Sequence, residues 1–209
     1  MIHSAQDLVV SLSDGSVAVF DARGPQLEER VRWHAHDFEP WIAAFDCWQP
    51  SAIWTGGDDC KLKGWDLRQG CETPTFVNKR FDGGVTSIQS HPLRENLLAV
   101  GSYDSTIRIF DRRKPAHPLA TRDAGGGLWR LKWHDELPGR LLAAAMHDGF
   151  KVHDFADAGA DEDGAVVEYR EQESLAYGAD WLYGMRTRDG GELVASCSFY
   201  DHSMHVWEA

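Results

Sequence analysis

His147 is the residue of this chain best suited, by its type and its neighbours, to acid–base chemistry. It stands directly before Asp148, at a turn position where a small residue is expected. An unperturbed imidazole titrates near pH ~6.5, within the range useful to a general base. We therefore take His147 as the first candidate for a general base, with an exposed turn histidine as the plainer interpretation.

Asp180 and His202 are further candidates for acid–base roles. Asp180 can orient His147 or another histidine, although the neighbouring Trp181 suggests a strand of core residues and a structural carboxylate. His202 closes the segment 196–202, which contains serine, cysteine, aspartate and histidine. Nearness along the chain is weak evidence for a catalytic triad, and no G-x-S-x-G nucleophile elbow is present. A serine or cysteine nucleophile is therefore the minor hypothesis.

Arg130 and several aromatic residues are suited to binding rather than to proton transfer. The Arg130 guanidinium is a rigid donor fork for a carboxylate or an ester carbonyl, with an ion pair between structural units as an equal alternative. Trp129, Tyr177 and Trp41 can attract a cation to their ring faces, with aromatic core packing as the alternative. Tyr103, in or beside a turn, is a candidate for the same surface.

Metal and cofactor chemistry have little support in the sequence. His34 and His36 form a metal-like pair, but a structural role is favoured for His36 below. The 4 cysteines contain no C-x-x-C pair, which argues against a zinc knuckle and for reduced thiols. No G-x-G-x-x-G motif follows a strand and opens a helix. We expect no metal ion and no cofactor.

The composition bounds the class of protein and of partner. The 209 residues are 43% hydrophobic and 26% charged, which suits one sizeable globular domain. A formal net charge of -12 disfavours nucleic acids and anionic membranes as partners. The chain begins without a signal-peptide pattern and has no apolar run of about 18 residues. A cytoplasmic protein is therefore expected.

A repeated unit must position these residues. Each copy has a turn with an aspartate, followed by an alternating strand that ends in an acidic residue. The turn aspartates are Asp14, Asp59, Asp104, Asp148 and Asp201, at spacings of 45, 45, 44 and 53 residues. The units end near Asp21, Asp66, Asp111, Asp154 and Glu208. We attribute the longer last spacing to an acidic surface loop at 157–164, and assign Trp181 the repeat position of Trp48 and Trp133.

This period and the Trp-Asp ending of the second unit resemble the WD40 propeller family. The resemblance implies an all-β fold, a single domain over 1–209 in which each unit is a four-stranded antiparallel blade. The hydrogen-bonded set that WD40 blades usually carry is matched by His36, Thr55, Asp59 and Trp65. These four residues are therefore expected to be structural.

About five blades are visible, and they predict an incomplete ring. The first unit begins at its second strand near Leu8, and the last stops one residue after Glu208, so an innermost and an outermost strand are missing. Residues 1–7 can supply one of them at most. We expect a ring truncated at its N-terminal side, with an open arc or five closed blades as alternatives.

One end of the blades is expected to gather the candidate residues. Because neighbouring strands are antiparallel, the first strand of a blade starts at the end where the second strand turns into the third. Residues near the starts of first strands therefore approach residues in or beside the turns. The first group contains Trp129, Arg130 and Tyr177, and the second contains His147, Tyr103 and His202.

Segments that a generic blade does not need carry a second, more specific resemblance. They are 38–45, 56–59, 101–104, 126–134, 145–151, 177–181 and 196–202. In this order they are similar to the diphthine methylesterase family, WD40 proteins of diphthamide biosynthesis that were long called diphthine methyltransferases. The match runs from about Trp33 to Trp207, and members of that family are longer and carry more blades before this point.

The resemblance implies a carboxylic ester hydrolase that removes the methyl ester of methylated diphthine on translation elongation factor 2, without a cofactor. For this reaction the candidate catalytic residues, chosen by their types and repeat positions, are His147, Asp180, Arg130 and His202, and the candidate substrate-binding residues are Trp129, Tyr177, Trp41 and Tyr103. The ring faces of Trp129, Trp41 and Tyr177 would bind the trimethylammonium group of diphthine. Methyl transfer is disfavoured because no nucleotide-type motif is present. The alternative is a non-catalytic WD40 module that presents the same end of its blades to a protein partner.

Overall fold

Alternating apolar residues and frequent turns divide this chain into short β-strands. In the computed structural model, which describes residues 7–155 and 165–209, the strands form five antiparallel sheets, and a single 3-10 turn at Leu67–Gln69 is the one helical element of this part. The predicted all-β fold of antiparallel blades is confirmed. None of the described residues belong to a helix long and apolar enough to cross a membrane.

Each sheet is one blade, with its strands in chain order. Blade 1 consists of β1 (Asp7–Ser11), β2 (Ser16–Asp21) and β3 (Glu28–His34). Blade 2 consists of β4 (Pro40–Phe45), β5 (Ala52–Gly57), β6 (Leu62–Asp66) and β7 (Phe76–Asn78). Blade 3 consists of β8 (Val85–Ser90), β9 (Leu97–Ser102), β10 (Thr106–Asp111) and β11 (Ala120–Asp123).

The last two blades follow the same plan. Blade 4 consists of β12 (Arg130–Trp133), β13 (Arg140–Ala144), β14 (Phe150–Asp154) and β15 (Ala165–Tyr169). Blade 5 consists of β16 (Ala176–Arg186), β17 (Glu192–Ser198) and β18 (Met204–Glu208). The third strand of a full blade, together with β2 and β18, ends at the acidic residue that closes each sequence unit.

Blades 1 and 5 have three described strands each. Blade 1 begins with the strand that precedes its turn aspartate, and blade 5 has β18 as its outermost described strand. Residues 1–6 lie outside the described part, so the idea that the N-terminus supplies one missing strand stays a prediction. The predicted acidic loop at 157–164 also lies outside it.

Buried apolar clusters join consecutive blades. Val17 and Trp33 of blade 1 pack with Ile53 and Trp65 of blade 2. Comparable clusters join blade 2 to blade 3, blade 3 to blade 4 and blade 4 to blade 5. Among the described residues, none of these clusters joins blade 5 to blade 1. The blades are therefore wedges stacked side by side, each held by its neighbours.

The predicted structural set of the second unit is confirmed. Trp65 Nε1 donates to Thr55 Oγ1 at 2.9 Å, and His36 bonds Thr55 through Nε2 at 2.7 Å and Asp59 through Nδ1 at 2.8 Å. Burial alone raises the pKa of Asp59, but the hydrogen bond and charge of His36 outweigh it and leave that pKa below its usual value. His36 is thus fully occupied inside blade 2.

Blade 5 carries a variant of the same set. Trp207 Nε1 donates to Ser196 Oγ at 3.1 Å, and Ser196 Oγ donates to Gln172 Oε1 at 2.8 Å. Gln172, Ser196 and Trp207 thus take the places of His36, Thr55 and Trp65. The degenerate sequence of the fifth unit therefore keeps the internal hydrogen bonds of a blade.

Candidate functional site

The turn between the second and third strands has the same backbone form in all five blades. The residue after the turn aspartate has a positive φ in each, namely Gly15 at 86°, Cys60 at 56°, Ser105 at 68°, Gly149 at 77° and His202 at 52°. The residue before the aspartate consequently stands at one equivalent position in every blade. Those residues are Ser13, Asp58, Tyr103, His147 and Tyr200.

The starts of the innermost strands lie beside these turns. The Asp58 N–H donates to the carbonyl of Glu39, just before β4, at 2.9 Å. The Tyr103 N–H donates to Gly84, just before β8, at 2.8 Å. This end of the blades, formed by the turns and the starts of the innermost strands, is called the rim below.

His147 lies on the rim between blades 4 and 5. The preceding residue, Met146, forms an isolated β-bridge with Ala176, whose N–H donates to the Met146 carbonyl at 2.8 Å. Met146 itself has a φ of 38°, a strained value for a residue with a side chain. The His147 imidazole is exposed, and within residues 7–155 and 165–209 no side chain forms a hydrogen bond with it. It is therefore open to a ligand or to solvent.

A continuous row of aromatic rings runs across the rim. Trp129 contacts Trp41 edge to face, with ring centroids 5.2 Å apart, and Tyr177 at 4.7 Å. Tyr177 contacts Phe199 at 4.9 Å, and Phe199 contacts Tyr200 at 4.8 Å. We call these five residues the aromatic row. It links the starts of β4, β12 and β16, which belong to three different blades.

The aromatic row is a surface rather than part of the core. Trp41 is 43% exposed, Trp129 and Tyr177 are half-buried, and Tyr200 is 71% exposed. None of these side chains belongs to the apolar clusters that join the described blades. Ring faces at this exposure are accessible to a ligand.

Glycines bring the start of β12 into the row. A Cβ on Gly126 would lie 2.3 Å from the carbonyl oxygen of Ala145, and a Cβ on Gly127 would lie 3.3 Å from the Tyr103 ring. The segment before β12 therefore passes tightly between the turns of blades 3 and 4. Tyr103, which is 52% exposed, flanks this passage beside Trp129.

Arg130 is the first residue of β12 and pairs in register with Ala144. The N–H of the neighbouring Trp129 donates to the Ala144 carbonyl at 2.9 Å, and His147 follows three residues after Ala144 in the chain. In the described part of the chain no carboxylate forms an ion pair with the half-buried Arg130 guanidinium. Arg130 is thus a cation at the start of β12 that no described carboxylate neutralises.

Asp180 lies away from the histidines, in an ion pair with Lys132 at 2.7 Å. Its other oxygen accepts hydrogen bonds from the Trp181 N–H at 2.9 Å and the Tyr183 hydroxyl at 3.3 Å. Burial and the adjacent Asp180 raise the pKa of Tyr183 to about 12. The structure thus places Asp180 between β12 and β16, without contact to His147.

The repeat position assigned to three tryptophans is wrong for one of them. Trp133 and Trp181 are 2% and 4% exposed, and they pair in register with Leu141 and Val194 at equivalent places. Trp48 is 40% exposed and lies in the turn after β4. Its indole N–H donates to the carbonyl of His91 at 2.8 Å, so it links blade 2 to blade 3 from outside the core.

The segment 196–202 does not assemble a triad. Ser198 donates to Asp201, and Ser203 Oγ donates to the same carboxylate at 3.0 Å. The hydrogen bond from Ser198 holds the pKa of Asp201 below its usual value. His202 is exposed at the positive-φ position of the turn and has no hydrogen bond to a described residue. The serines and Asp201 hold the turn together, and His202 stands apart from them.

Metal-ligand geometry is lacking in the part of the chain that the structure describes. No group of three His, Cys, Asp or Glu side chains there is arranged to hold an ion. His34 is exposed on β3, whereas His36 is buried inside blade 2. The metal-like spacing of these two residues therefore does not bring them to one site.

Sequence reasoning gave no role to Phe199 or Asp58. Phe199 extends the aromatic row, and Asp58 accepts a hydrogen bond from Trp41 Nε1 at 2.9 Å. A signal for Asp58 was present, because it directly precedes a turn aspartate, as Tyr103 and His147 do. The signal for Phe199 was weaker, because it lies one residue further from the turn.

Two cavities of the described surface lie away from the rim. One of about 280 Å³, lined by Cys47, Trp133 and Tyr183 among others, is at the opposite end of the innermost strands. A second of about 350 Å³ lies on blades 2 and 3, next to Trp54 and Arg112. We place the candidate site on the rim because the aromatic row lies there, together with the start of β12 that carries Arg130 and the turn that carries His147.

Comparison with known proteins adds a family likeness. A profile described as "WD domain, G-beta repeat" matches residues 73–111, which include all of β7 to β10. One chain in a solved structure, "Crystal Structure of Mitotic Checkpoint Complex", superposes with a TM-score of 0.80 at 18% identity, covering 99% of this chain and 61% of that one. At that identity the likeness shows the fold alone.

Several curated relatives carry the name diphthine methyltransferase. The chain is 39% identical to the "Diphthine methyltransferase homolog" of Dictyostelium discoideum, over 98% of this chain and 60% of the relative. It is 46% identical to the human "Diphthine methyltransferase", over 88% of this chain and 59% of the relative. For the Schizosaccharomyces pombe protein of that name the identity is 31%, over 98% and 61%. The chain thus spans about 60% of the length of these relatives.

Proposed function

We propose, from the WD40 fold of this chain and its similarity to the curated diphthine methyltransferases, that it hydrolyses the methyl ester of methylated diphthine on translation elongation factor 2. The products are diphthine and methanol, and the step belongs to diphthamide biosynthesis. The relatives' shared name supports the pathway, and the rim supports the choice of hydrolysis.

The observation that carries the proposal is the exposed aromatic row on the rim, with Arg130 next to Trp129 in the chain and His147 in a turn of the same rim. Trp129 lies in ring contact with both Trp41 and Tyr177, immediately before Arg130 in the chain. A quaternary ammonium group over such ring faces gains roughly 0.5–1 kcal/mol at an exposed site. An open rim also suits an ester that is presented on another protein, since a closed cavity would exclude it.

In the proposed hydrolysis, His147 and Arg130 each have one role. The imidazole of His147 accepts a proton from water while the water oxygen bonds to the ester carbonyl carbon. Arg130 donates hydrogen bonds to the carbonyl oxygen as it becomes an oxyanion. When the carbonyl re-forms, the C–O bond to the methoxy group breaks, and the proton held by His147 passes to the leaving oxygen. Methanol is released, and the carboxylic acid of diphthine loses its proton to solvent and becomes the carboxylate.

Asp180 and His202 take no direct part in the proposed step. Asp180 pairs with Lys132 at 2.7 Å, so we assign it the positioning of β12 against β16. His202 is exposed on the turn of blade 5. Tyr103 is assigned to the substrate-facing edge because it packs on Gly127, two residues before Trp129.

Methanol release tests the reaction. Methylated elongation factor 2 incubated with the protein, without any methyl donor, is expected to yield methanol. His147→Ala should lower the rate by roughly a hundredfold or more, the usual contribution of a general base, and Arg130→Ala by a similar factor. His117→Ala is the matched control, since His117 is exposed in the loop between β10 and β11, at the end of blade 3 opposite the rim.

Two other outcomes would contradict the proposal. Ester formation that depends on a methyl donor, without methanol release, would favour methyl transfer, as the relatives' name says. Tight binding of the substrate protein without turnover would favour the non-catalytic interaction module, for which exposed Trp, Tyr and Arg are equally suitable. Normal turnover in both His147→Ala and Arg130→Ala would remove these residues from the mechanism.

A further inference from the structure

Asp58 is an acid at the turn position that other blades fill with Ser13, Tyr103, His147 and Tyr200. The structural work of this turn belongs to Asp59, which bonds His36 at 2.8 Å and the Lys61 N–H at 3.2 Å. Asp58 is exposed, and its carboxylate is not part of that buried set. The fold of the blade therefore does not account for a carboxylate at this position.

The Asp58 carboxylate is held against the aromatic row. Trp41 Nε1 donates to Asp58 Oδ1 at 2.9 Å, which places the oxygen at the edge of the indole. A Cβ on Gly84 would lie 2.7 Å from the same oxygen, so the backbone of blade 3 supports the carboxylate from the other side. The carboxylate is thus fixed in position while Trp41 remains 43% exposed.

Charge and ring geometry here favour one kind of ligand. Trp41 meets Trp129 at an interplanar angle of 62°, so the two indoles form a corner rather than a closed stack. A cation over the face of Trp41 would lie well within a Debye length, about 8 Å, of the Asp58 carboxylate. Asp104, across the blade interface, is paired with Arg108 at 2.9 Å, whereas among the described residues no basic side chain pairs with Asp58.

We infer that Asp58, fixed by Trp41, is the anionic member of an organic-cation site formed with Trp41 and Trp129, and that it selects a quaternary ammonium group over a neutral group of the same shape. This inference rests on the proposed function, because it concerns the same rim. It adds a specificity-determining residue, Asp58, whose effect can be measured without ester chemistry.

Choline and its uncharged carbon isostere, 3,3-dimethylbutan-1-ol, separate charge from shape. Titrations of the full chain, followed by tryptophan fluorescence or by side-chain NMR shifts, are expected to show several-fold tighter binding of choline. Asp58→Asn keeps an oxygen that accepts from Trp41 but removes the charge. It should weaken choline binding roughly two- to fivefold, the scale of an exposed charge pair, and leave binding of the isostere unchanged.

Two further measurements keep the outcome unambiguous. Glu28→Gln removes one negative charge from the exposed outer strand of blade 1, and it should leave the preference for choline intact. Added salt should reduce the preference in the wild type but not in Asp58→Asn. Thermal melts of each variant confirm that both are folded.

The inference is overturned if wild-type protein binds choline no better than the isostere, or if Asp58→Asn keeps the full preference. Either result is independent of methanol release. Selective choline binding without ester hydrolysis would support the cation site and reject the proposed reaction. Ester hydrolysis by the wild type, with an unchanged preference for choline in Asp58→Asn, would support the proposed reaction and reject the cation site.

Discussion

Trp129 is the residue on which the candidate site depends most. It touches Trp41 of blade 2 and Tyr177 of blade 5 while belonging to the start of blade 4. One indole therefore bridges rings whose positions are set by three different blades. Its removal opens a gap in the aromatic row without emptying the apolar core, because Trp129 is only half-buried.

Trp129→Ala is predicted to weaken substrate binding more than it weakens the fold. Loss of a cation–π partner and of two ring contacts should raise the KM for the methylated substrate roughly five- to tenfold. Trp48→Ala is the control, since that indole is also exposed but lies in the turn after β4. Steady-state kinetics measure both, and an equal rise in KM for Trp48→Ala would contradict the assignment.

Among the structural elements, the segment that leads into β12 is closely packed between its neighbours. Gly126 lies against the Ala145 carbonyl, and Gly127 lies against Tyr103. These contacts fix the approach of the segment before β12 between two turns, and with it the positions of Trp129 and Arg130. A flexible entry would leave the same residues without a common orientation.

Gly126→Ala is predicted to destabilise the protein and to disturb the rim. The new Cβ would stand 2.3 Å from a backbone oxygen, so the segment must shift, at a cost of roughly 1–3 kcal/mol in the free energy of unfolding. Gly178→Ala is the matched control, because the nearest atom to its Cβ would be 3.6 Å away, an ordinary contact. Chemical denaturation of both variants makes the comparison, and equal losses would refute the steric argument.

Inner strands end in turns that are capped by one side chain, and its type varies between blades. Asp46 Oδ1 accepts from the N–H groups of Trp48 and Gln49 at 2.9 and 3.0 Å. His91 Nδ1 accepts from the N–H groups of Leu93 and Arg94 at 3.0 and 3.1 Å. The histidine must therefore be neutral to act as this cap, since protonated Nδ1 has no lone pair to offer.

In the whole molecule, the histidines at these turns connect neighbouring blades. His91 Nε2 donates to the carbonyl of Pro138 at 2.7 Å and so ties blade 3 to blade 4. His134 Nε2 lies 2.9 Å from Glu192 and ties blade 4 to blade 5. Burial lowers the pKa of both histidines below the ordinary value of 6.5. Their protonation therefore opposes the stacked arrangement of the blades.

The free energy of unfolding is predicted to fall as the pH drops below about 6.5. Because the folded-state pKa of His91 is lower than its unfolded value, the unfolded chain binds more protons in that range, and stability is fully present only above it. His91→Asn keeps a short acceptor, as Asp46 does in blade 2, and should reduce this pH dependence. Denaturant titrations near pH 7.5 and near pH 5.5 test it, with exposed His117→Asn as the control. An unchanged pH dependence in His91→Asn would exclude this histidine as a source.

Much of the fold could be predicted from the sequence because the information is local to each unit. Strand alternation, the turn aspartates and the set formed by His36, Thr55, Asp59 and Trp65 all lie within one repeat. The misassigned Trp48 shows the limit of this approach, since a shift of a few residues moves a side chain from the core to a turn. A propeller rim could also be expected, because antiparallel pairing fixes which ends of the strands meet.

The residues alone determined an all-β stack of blades and the end of each blade on which His147, Trp129 and Tyr177 lie. The tertiary structure decided which side chains contact one another. Trp41 packs on Trp129 across blades, Asp180 forms an ion pair with Lys132, and Asp58 accepts a hydrogen bond from the Trp41 indole. The physical reason is the range of the interactions. Strand period and turn conformation are set by neighbours in the chain, whereas contacts between blades depend on how the wedges pack and twist against one another.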